Sequence, residues 1–220
     1  RVMEDMVMAY SDRFPVTTAR FANVAFSNGS LPDGWVARLM KRQPLVSPSD
    51  VKRYFVSPEE SGQICMLACI LGNTGEVFFP KLGEDQMITF SSFCKKFIET
   101  AGYKEYQCSS DKEAVEFAAN RTEEDTDYPV VYFKSDTTGE KDFEEFFVPG
   151  EKLNMDRFSA LGVIEETTHR PMDEVDSFFT ELEGIFQKKE FTKAEIVEAL
   201  KKFLPNFEHE EKGKNLDQKM

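Results

Sequence analysis

The chain has 220 residues and a net charge of −13, and its 40% hydrophobic and 30% charged residues are typical of a soluble globular protein. No apolar run approaches the roughly 20 residues that cross a bilayer, and no secretory signal is present, so we expect a cytoplasmic protein without a membrane partner. Residues 1–110 carry 12 basic and 12 acidic residues, whereas residues 111–220 carry 15 and 28. This acidic balance argues against a basic patch for nucleic acid.

The first elements are a predicted helix and a predicted strand. Apolar residues at helical spacing predict a helix over residues 2–12, which Pro15 prevents from continuing. The β-branched and aromatic residues of 16–26 predict one buried strand. We expect its exposed edges to pair with residues 103–133 or with another copy of the chain.

A turn at residues 27–30 and a short helix over 34–40 follow in the sequence. Residues 41–57 contain two prolines and alternating apolar residues, which predicts short strands joined by a turn. Ser57 can cap a helix over residues 58–71, because a proline and two glutamates occupy its first turn.

The apolar stretch 64–71 predicts a buried helix. Four cysteines are present in the chain: Cys65, Cys69, Cys94 and Cys108. The first two lie four residues apart inside this stretch, and both histidines are far away in sequence. We therefore expect buried free thiols, with a metal site or a disulfide as the alternative.

The same patterns predict elements as far as residue 203: a strand over 75–82, a helix over 88–101, strands over 103–107 and 128–133 around a helix over 111–120, and helices over 153–158, 173–187 and 192–203. Thr192 and Glu195 form a capping box at the start of the last helix. Residues 135–147 are a polar turn followed by an acidic aromatic segment, and residues 209–220 resemble a frayed tail. The order of elements predicts an α/β or α+β fold.

Two residues stand out as candidates for chemistry. Asn23 lies near the end of a predicted strand, where open α/β sheets place ligand groups, and the turn after it can present N–H groups to a phosphate. A plain strand and turn is the alternative. Arg53 lies in a predicted buried strand and needs an anionic partner. The alternatives are a salt bridge to a nearby acidic residue, simple exposure to solvent, or a bidentate grip on a diphosphate.

Three segments carry a family resemblance: RFANVAFSNGSL at 20–31, KRQPLVSPSDVKRYFVSPEESGQ at 41–63 and GEVFFPKL at 75–82. They resemble the extended short-chain dehydrogenase/reductase superfamily, in the polysaccharide-biosynthesis branch that contains the nucleotide-N-acetylglucosamine 4,6-dehydratases. That branch has an R-[FY]-x-N-V-x-x-S-x-G-S motif, an arginine before an aromatic pair and a G-E-[IV]-F-x-P-K strand. Residues 135–147 resemble a C-terminal extension of one subgroup.

The resemblance implies six substrate-binding residues: Asn23, Ser30, Leu31, Arg53, Glu60 and Lys81. Asn23 would hydrogen-bond the diphosphate of a nucleotide sugar, and Arg53 would pair with its charge. Ser30 and Leu31 would meet the base and the phosphate, while the last two residues match motif positions without an assigned role. The resemblance also places two residues near the nicotinamide: Phe21 and Ala22.

The family's catalytic parts are missing from this sequence. No Gly-rich dinucleotide turn occurs, and none of the 6 tyrosines has a lysine four residues later. The chain begins with Arg1. We therefore expect that an N-terminal portion is absent, that the intact enzyme uses NAD or NADP, and that this chain alone binds no cofactor. It should contain no catalytic residue and no metal ligand.

The resemblance implies a reaction on a UDP- or GDP-linked N-acetylhexosamine: oxidation at C4, loss of water across C5–C6 and hydride return to C6. An epimerase of the same superfamily and a non-catalytic nucleotide-sugar-binding or assembly module stay open, as does a homodimer. We expect residues 1–30 to be the residual end of a Rossmann-type dinucleotide-binding sheet. Residues 31–102 would bind the nucleotide sugar, and residues 103–220 would form an acidic C-terminal extension that is α/β at first and then helical.

Overall fold

The computed structural model describes residues 1–135, 146–165, 167, 170–207 and 209. Its helices are α1 Val2–Met8, α2 Leu31–Met40, α3 Pro58–Leu71, α4 Phe90–Thr100, α5 Asp111–Asn120, α6 Met172–Phe186 and α7 Lys193–Phe203. Its strands are β1 Thr18–Ala19, β2 Asn23–Val24, β3 Leu45–Pro48, β4 Lys52–Arg53, β5 Phe55–Val56, β6 Val77–Pro80, β7 Ile88–Thr89, β8 Lys104–Cys108, β9 Asp127–Phe133, β10 Lys152–Asn154 and β11 Leu161–Glu165. This mixture of helices and strands confirms the predicted α/β class.

The chain forms two compact units, each discontinuous in sequence. The first contains Arg1–Arg20, Gly62–Lys81 and the described residues from Phe146 onward, and the second contains Phe21–Ser61 and the described residues from Leu82 to Ser135. The predicted roles of residues 1–30, 31–102 and 103–220 stay a prediction, because the units reflect spatial proximity rather than function.

A four-stranded sheet is the centre of the first unit. Its strand order is β1-β6-β11-β10, with β1 parallel to β6 and the other pairs antiparallel. Val77, Phe78 and Phe79 of β6 are at most 1% exposed. Helices α6 and α7 form a second apolar cluster, in which the rings of Phe178 and Phe203 stack with centroids 4.2 Å apart. Burial on both faces explains why β6 has an unbroken apolar sequence.

Three parallel strands in the order β3-β9-β8 form the main sheet of the second unit. Trp35 of α2 and Ile98 of α4 pack with Leu45 and Val130 in its core, and all four are fully buried. The Trp35 indole N–H donates to the carbonyl of Val46 at 2.9 Å, which satisfies its polar atom. Two small sheets accompany this core: β2 pairs with β5 in parallel, and β4 pairs with β7 in antiparallel.

The prediction of one strand over residues 16–26 is wrong. The segment forms two short strands, because β1 pairs with β6 while β2 pairs with β5. Arg20 donates its backbone N–H to Phe78 at 2.8 Å, and Asn23 donates to Tyr54 at 3.2 Å, so the chain changes sheets between them. Within the chain the partners are therefore β6 and β5 and not residues 103–133, while pairing with another copy stays a prediction.

The predicted helix over residues 153–158 is also wrong. Leu153 instead lies in β10, opposite Ile164 of β11. Neither of these strands was predicted from the sequence. The side-chain oxygen of Asn154 accepts hydrogen bonds from the backbone N–H groups of Asp156 and Arg157, both at 3.1 Å. This local turn satisfies the amides that a helix would have used, and it ends the strand.

Helix α3 has the predicted bounds but is not buried. Only Ile64 and Ala68 are buried in its apolar stretch, and Ile70 is 74% exposed. Cys65 and Cys69 are therefore exposed, contrary to the prediction, because the helix packs along one narrow side. The other two cysteines are buried as predicted. Burial raises the pKa of the Cys94 thiol to about 12.

Two predictions fall largely or wholly outside the described residues. These are the acidic aromatic segment, of which residues 136–145 are not described, and the C-terminal tail beyond residue 209. None of the helices in the described part is long and apolar enough to cross a membrane.

Candidate functional site

The β2–β5 pair brings two of the sequence motifs together. Asn23 lies in register with Phe55, and the N–H of Ala25 donates to the carbonyl of Val56 at 2.9 Å. The register partner of Asn23 is therefore only two residues beyond Arg53. Both predicted diphosphate-binding residues belong to the second unit and to adjacent pieces of backbone.

Arg53 is buried, with 9% of its surface exposed, so simple exposure does not apply to it. It lies opposite Ile88 in the β4–β7 pair, and its Nη1 donates to the carbonyl of Lys52 at 2.8 Å. A guanidinium carries five donors in a planar fork that matches a phosphate or a carboxylate. The arrangement holds a positive charge where solvent screening is weak, which strengthens any pairing with an anion.

The loop after β2 leads directly into the start of α2. Ser30 caps this helix, because its hydroxyl accepts the backbone N–H of Asp33 at 3.3 Å. The carboxylate of Asp33 in turn accepts the N–H of Gly29 at 3.2 Å. Leu31 packs partly buried against the cluster around Trp35. Helix α2 therefore begins earlier than predicted, and its N-terminus lies at the end of the loop that follows Asn23.

Glu60 and Lys81 have structural contacts in the fold. Glu60 accepts the N–H of Ser57 at 2.7 Å, and the Ser57 hydroxyl accepts the N–H of Glu60 at 3.1 Å, so the pair forms a reciprocal cap of α3. The Nζ of Lys81 donates to the carbonyls of Met155 and Phe158 within the first unit. Substrate binding by these two residues stays a prediction.

Phe21 and Ala22 connect β1 to β2. Phe21 is 41% exposed, whereas Ala22 is buried at 4%. Of these two residues, only Phe21 exposes much of its side chain. The predicted proximity of both residues to a nicotinamide stays a prediction.

Arg20 is a structural position to which the sequence motifs assigned no role. In the first unit its guanidinium donates to both carboxylate oxygens of Glu4 at 2.7 and 2.8 Å, to both oxygens of Glu151 at 2.9 and 3.1 Å, and to the carbonyl of Phe146 at 2.8 Å. Burial lowers the pKa of Arg20, but the hydrogen bonds that it donates to the two glutamates raise it more, so its pKa is raised overall. The first letter of the R-F-x-N-V motif was the available signal for this network.

A separate cavity of about 430 Å³ lies in the second unit, between α2, α5 and the main sheet. Its lining includes Arg38, Val46, Val115, Val131 and Phe133. None of the predicted site residues contributes to it. Its walls are mostly apolar, so it offers less to a diphosphate than the polar groups around β2.

The chain belongs to the polysaccharide biosynthesis protein family, whose profile matches residues 1–164. This match covers the resemblance segments and ends within β11. It supports a role related to nucleotide sugars without identifying a substrate. A search of curated proteins found no significant match.

Fifteen chains of solved structures match the fold. One is the X-ray structure of Pen from Bacillus thuringiensis, with a TM-score of 0.52 and 15% sequence identity. The match covers 82% of this chain and 55% of Pen, so the chain spans about half the length of that protein. At this identity the likeness concerns the fold alone.

Proposed function

We propose that this chain is the substrate-binding portion of a nucleotide-sugar 4,6-dehydratase that acts on a UDP- or GDP-linked N-acetylhexosamine in surface polysaccharide biosynthesis. The β2–β5 pairing carries the proposal, because it aligns two motifs whose central residues, Asn23 and Arg53, are far apart in sequence. Membership of the polysaccharide biosynthesis protein family supports the substrate class.

Each group has a defined part in this proposal. The Arg53 guanidinium would donate two parallel hydrogen bonds to the diphosphate, and the Asn23 side-chain amide would donate another. The start of α2, capped by Ser30, adds the partial positive charge of a helix N-terminus. Leu31 would supply an apolar contact to the nucleoside.

The catalytic step is not assigned to these residues. The sequence contains no Gly-rich dinucleotide turn and no Tyr-x-x-x-Lys pair, so the groups that would hold NAD or NADP and move a proton are not among the residues present. Use of a nicotinamide cofactor by the whole protein remains a proposal, as do the cytoplasmic location and a homodimer. An epimerase would use the same binding residues, because they hold the substrate without determining the outcome.

Calorimetric titration of the chain with UDP-N-acetylglucosamine and with GDP-N-acetylglucosamine tests the binding site. We expect saturable binding of one of the two and at least about tenfold weaker binding by Arg53→Lys, which keeps the charge but loses the bidentate fork. Arg42→Lys is the matched control, because Arg42 is an exposed residue paired with Glu123 at 2.7 Å. Arg53→Ala extends the comparison if it remains folded.

Two results would contradict the proposal. Absence of binding by the folded chain would show that the described residues do not form a self-contained site. Unchanged affinity in both Arg53 variants would show that the diphosphate does not bind there. Incubation of the full-length protein with the bound nucleotide sugar should release a product lighter by one water. A product of unchanged mass would favour the epimerase instead.

A further inference from the structure

The loop between Asn23 and Ser30 contains an unusual backbone conformation. Phe26 has a φ of 58°, and in the described part of the chain the one other non-glycine residue with positive φ is Arg42, at 54°. A bulky residue rarely adopts this left-handed conformation, because its side chain approaches the backbone carbonyl. Such an outlier persists only where the surroundings impose it, and it commonly lies at a ligand site.

The Phe26 ring is held on one side and exposed on the other. Its centroid lies 5.8 Å from that of Phe93, in an edge-to-face contact, and 6.0 Å from that of Phe97. The residue nevertheless remains 44% exposed. Helix α4 therefore anchors a large apolar ring whose remaining surface is available to another molecule. An anchored ring loses little freedom when a ligand stacks on it.

The position of Phe26 relates this ring to the proposed substrate. It follows Asn23 by three residues, and the cap of α2 at Ser30 follows it by four. If Asn23 and the start of α2 at Ser30 bind the diphosphate, the base or the sugar attached to it would lie beside the exposed ring of Phe26. Both the base and the apolar face of the sugar in a nucleotide sugar can stack on an aromatic side chain.

We infer that Phe26 is a stacking platform for the nucleotide sugar and determines part of its affinity. The inference rests on the proposed function, since the ligand is the same. Stacking on an aromatic side chain changes affinity by roughly 5- to 150-fold. The left-handed backbone at residue 26 would present the ring to the ligand while part of the ring stays packed on Phe93 and Phe97 of α4.

Four variants test this inference by calorimetry with UDP and with the matching UDP-N-acetylglucosamine. We expect Phe26→Gly and Phe26→Leu to bind at least about fivefold more weakly, and Phe26→Tyr to bind within about twofold of the parent. Arg42→Gly is the matched control for Phe26→Gly, because it also places glycine at a position of positive φ but leaves the Phe26 ring in place. It should leave the affinity unchanged and raise Tm by about 2–4 °C. If the chain prefers GDP-N-acetylglucosamine, GDP replaces UDP in both arms.

Comparison of the nucleotide with the nucleotide sugar shows whether the base or the sugar stacks on the Phe26 ring. Equal losses for the nucleotide and the nucleotide sugar place the base on the ring, whereas a loss confined to the nucleotide sugar places the sugar there. Parental affinity in Phe26→Leu and Phe26→Gly would refute the inference and leave Phe26 as a packing residue, even if Tm fell. Absence of binding by the parent chain would instead refute the proposed function, and this inference with it.

Discussion

Gly162 of β11 is a position where one added methyl group should measurably weaken the fold. It lies directly opposite Phe79 of β6 in the antiparallel pair. A Cβ atom at Gly162 would come within 2.2, 2.6 and 2.8 Å of three carbons of the Phe79 ring. Phe79 is 1% exposed and packs against Val77 and Ile164, so its ring has little room to move.

The expected magnitude follows from two opposing effects. Overpacking of a buried core costs about 1–3 kcal/mol, because neighbouring side chains must leave their preferred rotamers. Replacement of glycine by alanine restricts the unfolded chain and returns about 0.4–1 kcal/mol. Gly162→Ala should therefore lower the free energy of unfolding by about 1–2 kcal/mol, which corresponds to a fall in Tm of about 2–8 °C at this chain length.

Urea unfolding followed by far-UV circular dichroism measures the effect. The single tryptophan, Trp35, belongs to the second unit, so its fluorescence is not suited to a change in the first. Gly184→Ala in α6 is the matched control, since its added Cβ meets nothing within 4 Å and should stabilise the helix by about 0.5–1 kcal/mol. Phe79→Leu in the Gly162→Ala background should recover part of the loss. If Gly162→Ala and Gly184→Ala shifted the midpoint in the same direction, the steric reasoning would be wrong.

Three further predictions concern the pH dependence, a helix cap and the thiols. Burial raises the pKa of Glu151, but hydrogen bonds from Arg20 and a backbone N–H lower it below the ordinary 4.5. The ion pair of Glu151 therefore contributes to stability above about pH 4.5, and this contribution is lost as the pH falls through the pKa of Glu151 in the folded chain. Urea titrations should show that Glu151→Gln loses less stability than the parent between pH 5 and pH 3. Ser30→Ala should cost about 1 kcal/mol in the same assay, and a change near zero would exclude the cap. Iodoacetamide should alkylate the two exposed cysteines of α3 in the native chain and the two buried ones only after unfolding, as mass spectrometry can show.

The helices that begin with a local capping signal could be predicted closely. Ser57, Thr89 and Thr192 accept or exchange hydrogen bonds with the first turns of α3, α4 and α7, and each lies within a few residues of the helix it starts. Such signals depend only on neighbours in the chain. The sequence alone therefore contains the information that sets these boundaries.

The strands depend on partners that are distant in sequence, and predictions failed there. Residues 16–26 have the composition of one strand, yet two different partner strands divide the segment. Residues 153–158 resemble a short helix, but β11 and the turn at Asn154 select a strand. The apolar sequence of α3 likewise predicts burial, while its exposure depends on which elements pack around it.

For the candidate site, the sequence could identify Asn23 and Arg53 but not their proximity. Local features identify each residue: Asn23 is a polar residue at a predicted strand end, and Arg53 is a charged residue within an apolar segment. The register of Asn23 with Phe55, two residues beyond Arg53, is a long-range property. The conformation of Phe26 could not be predicted either, because nothing in its local sequence requires a positive φ.

The R-F-x-N-V motif combines two separate tasks within a few residues. Arg20, its first residue, belongs to the first unit and joins α1 to the segment around Glu151 through partly buried ion pairs. Asn23, its fourth residue, belongs to the second unit and is held by Tyr54 of the segment between β4 and β5. A substitution of Arg20 should therefore act on stability, because Glu4 and Glu151 lose a partly buried cation and keep only the more exposed pairing with Arg1. A substitution of Asn23 should act on the ligand. Treating the motif as a single binding element would assign both residues the same role, and their hydrogen bonds argue against that.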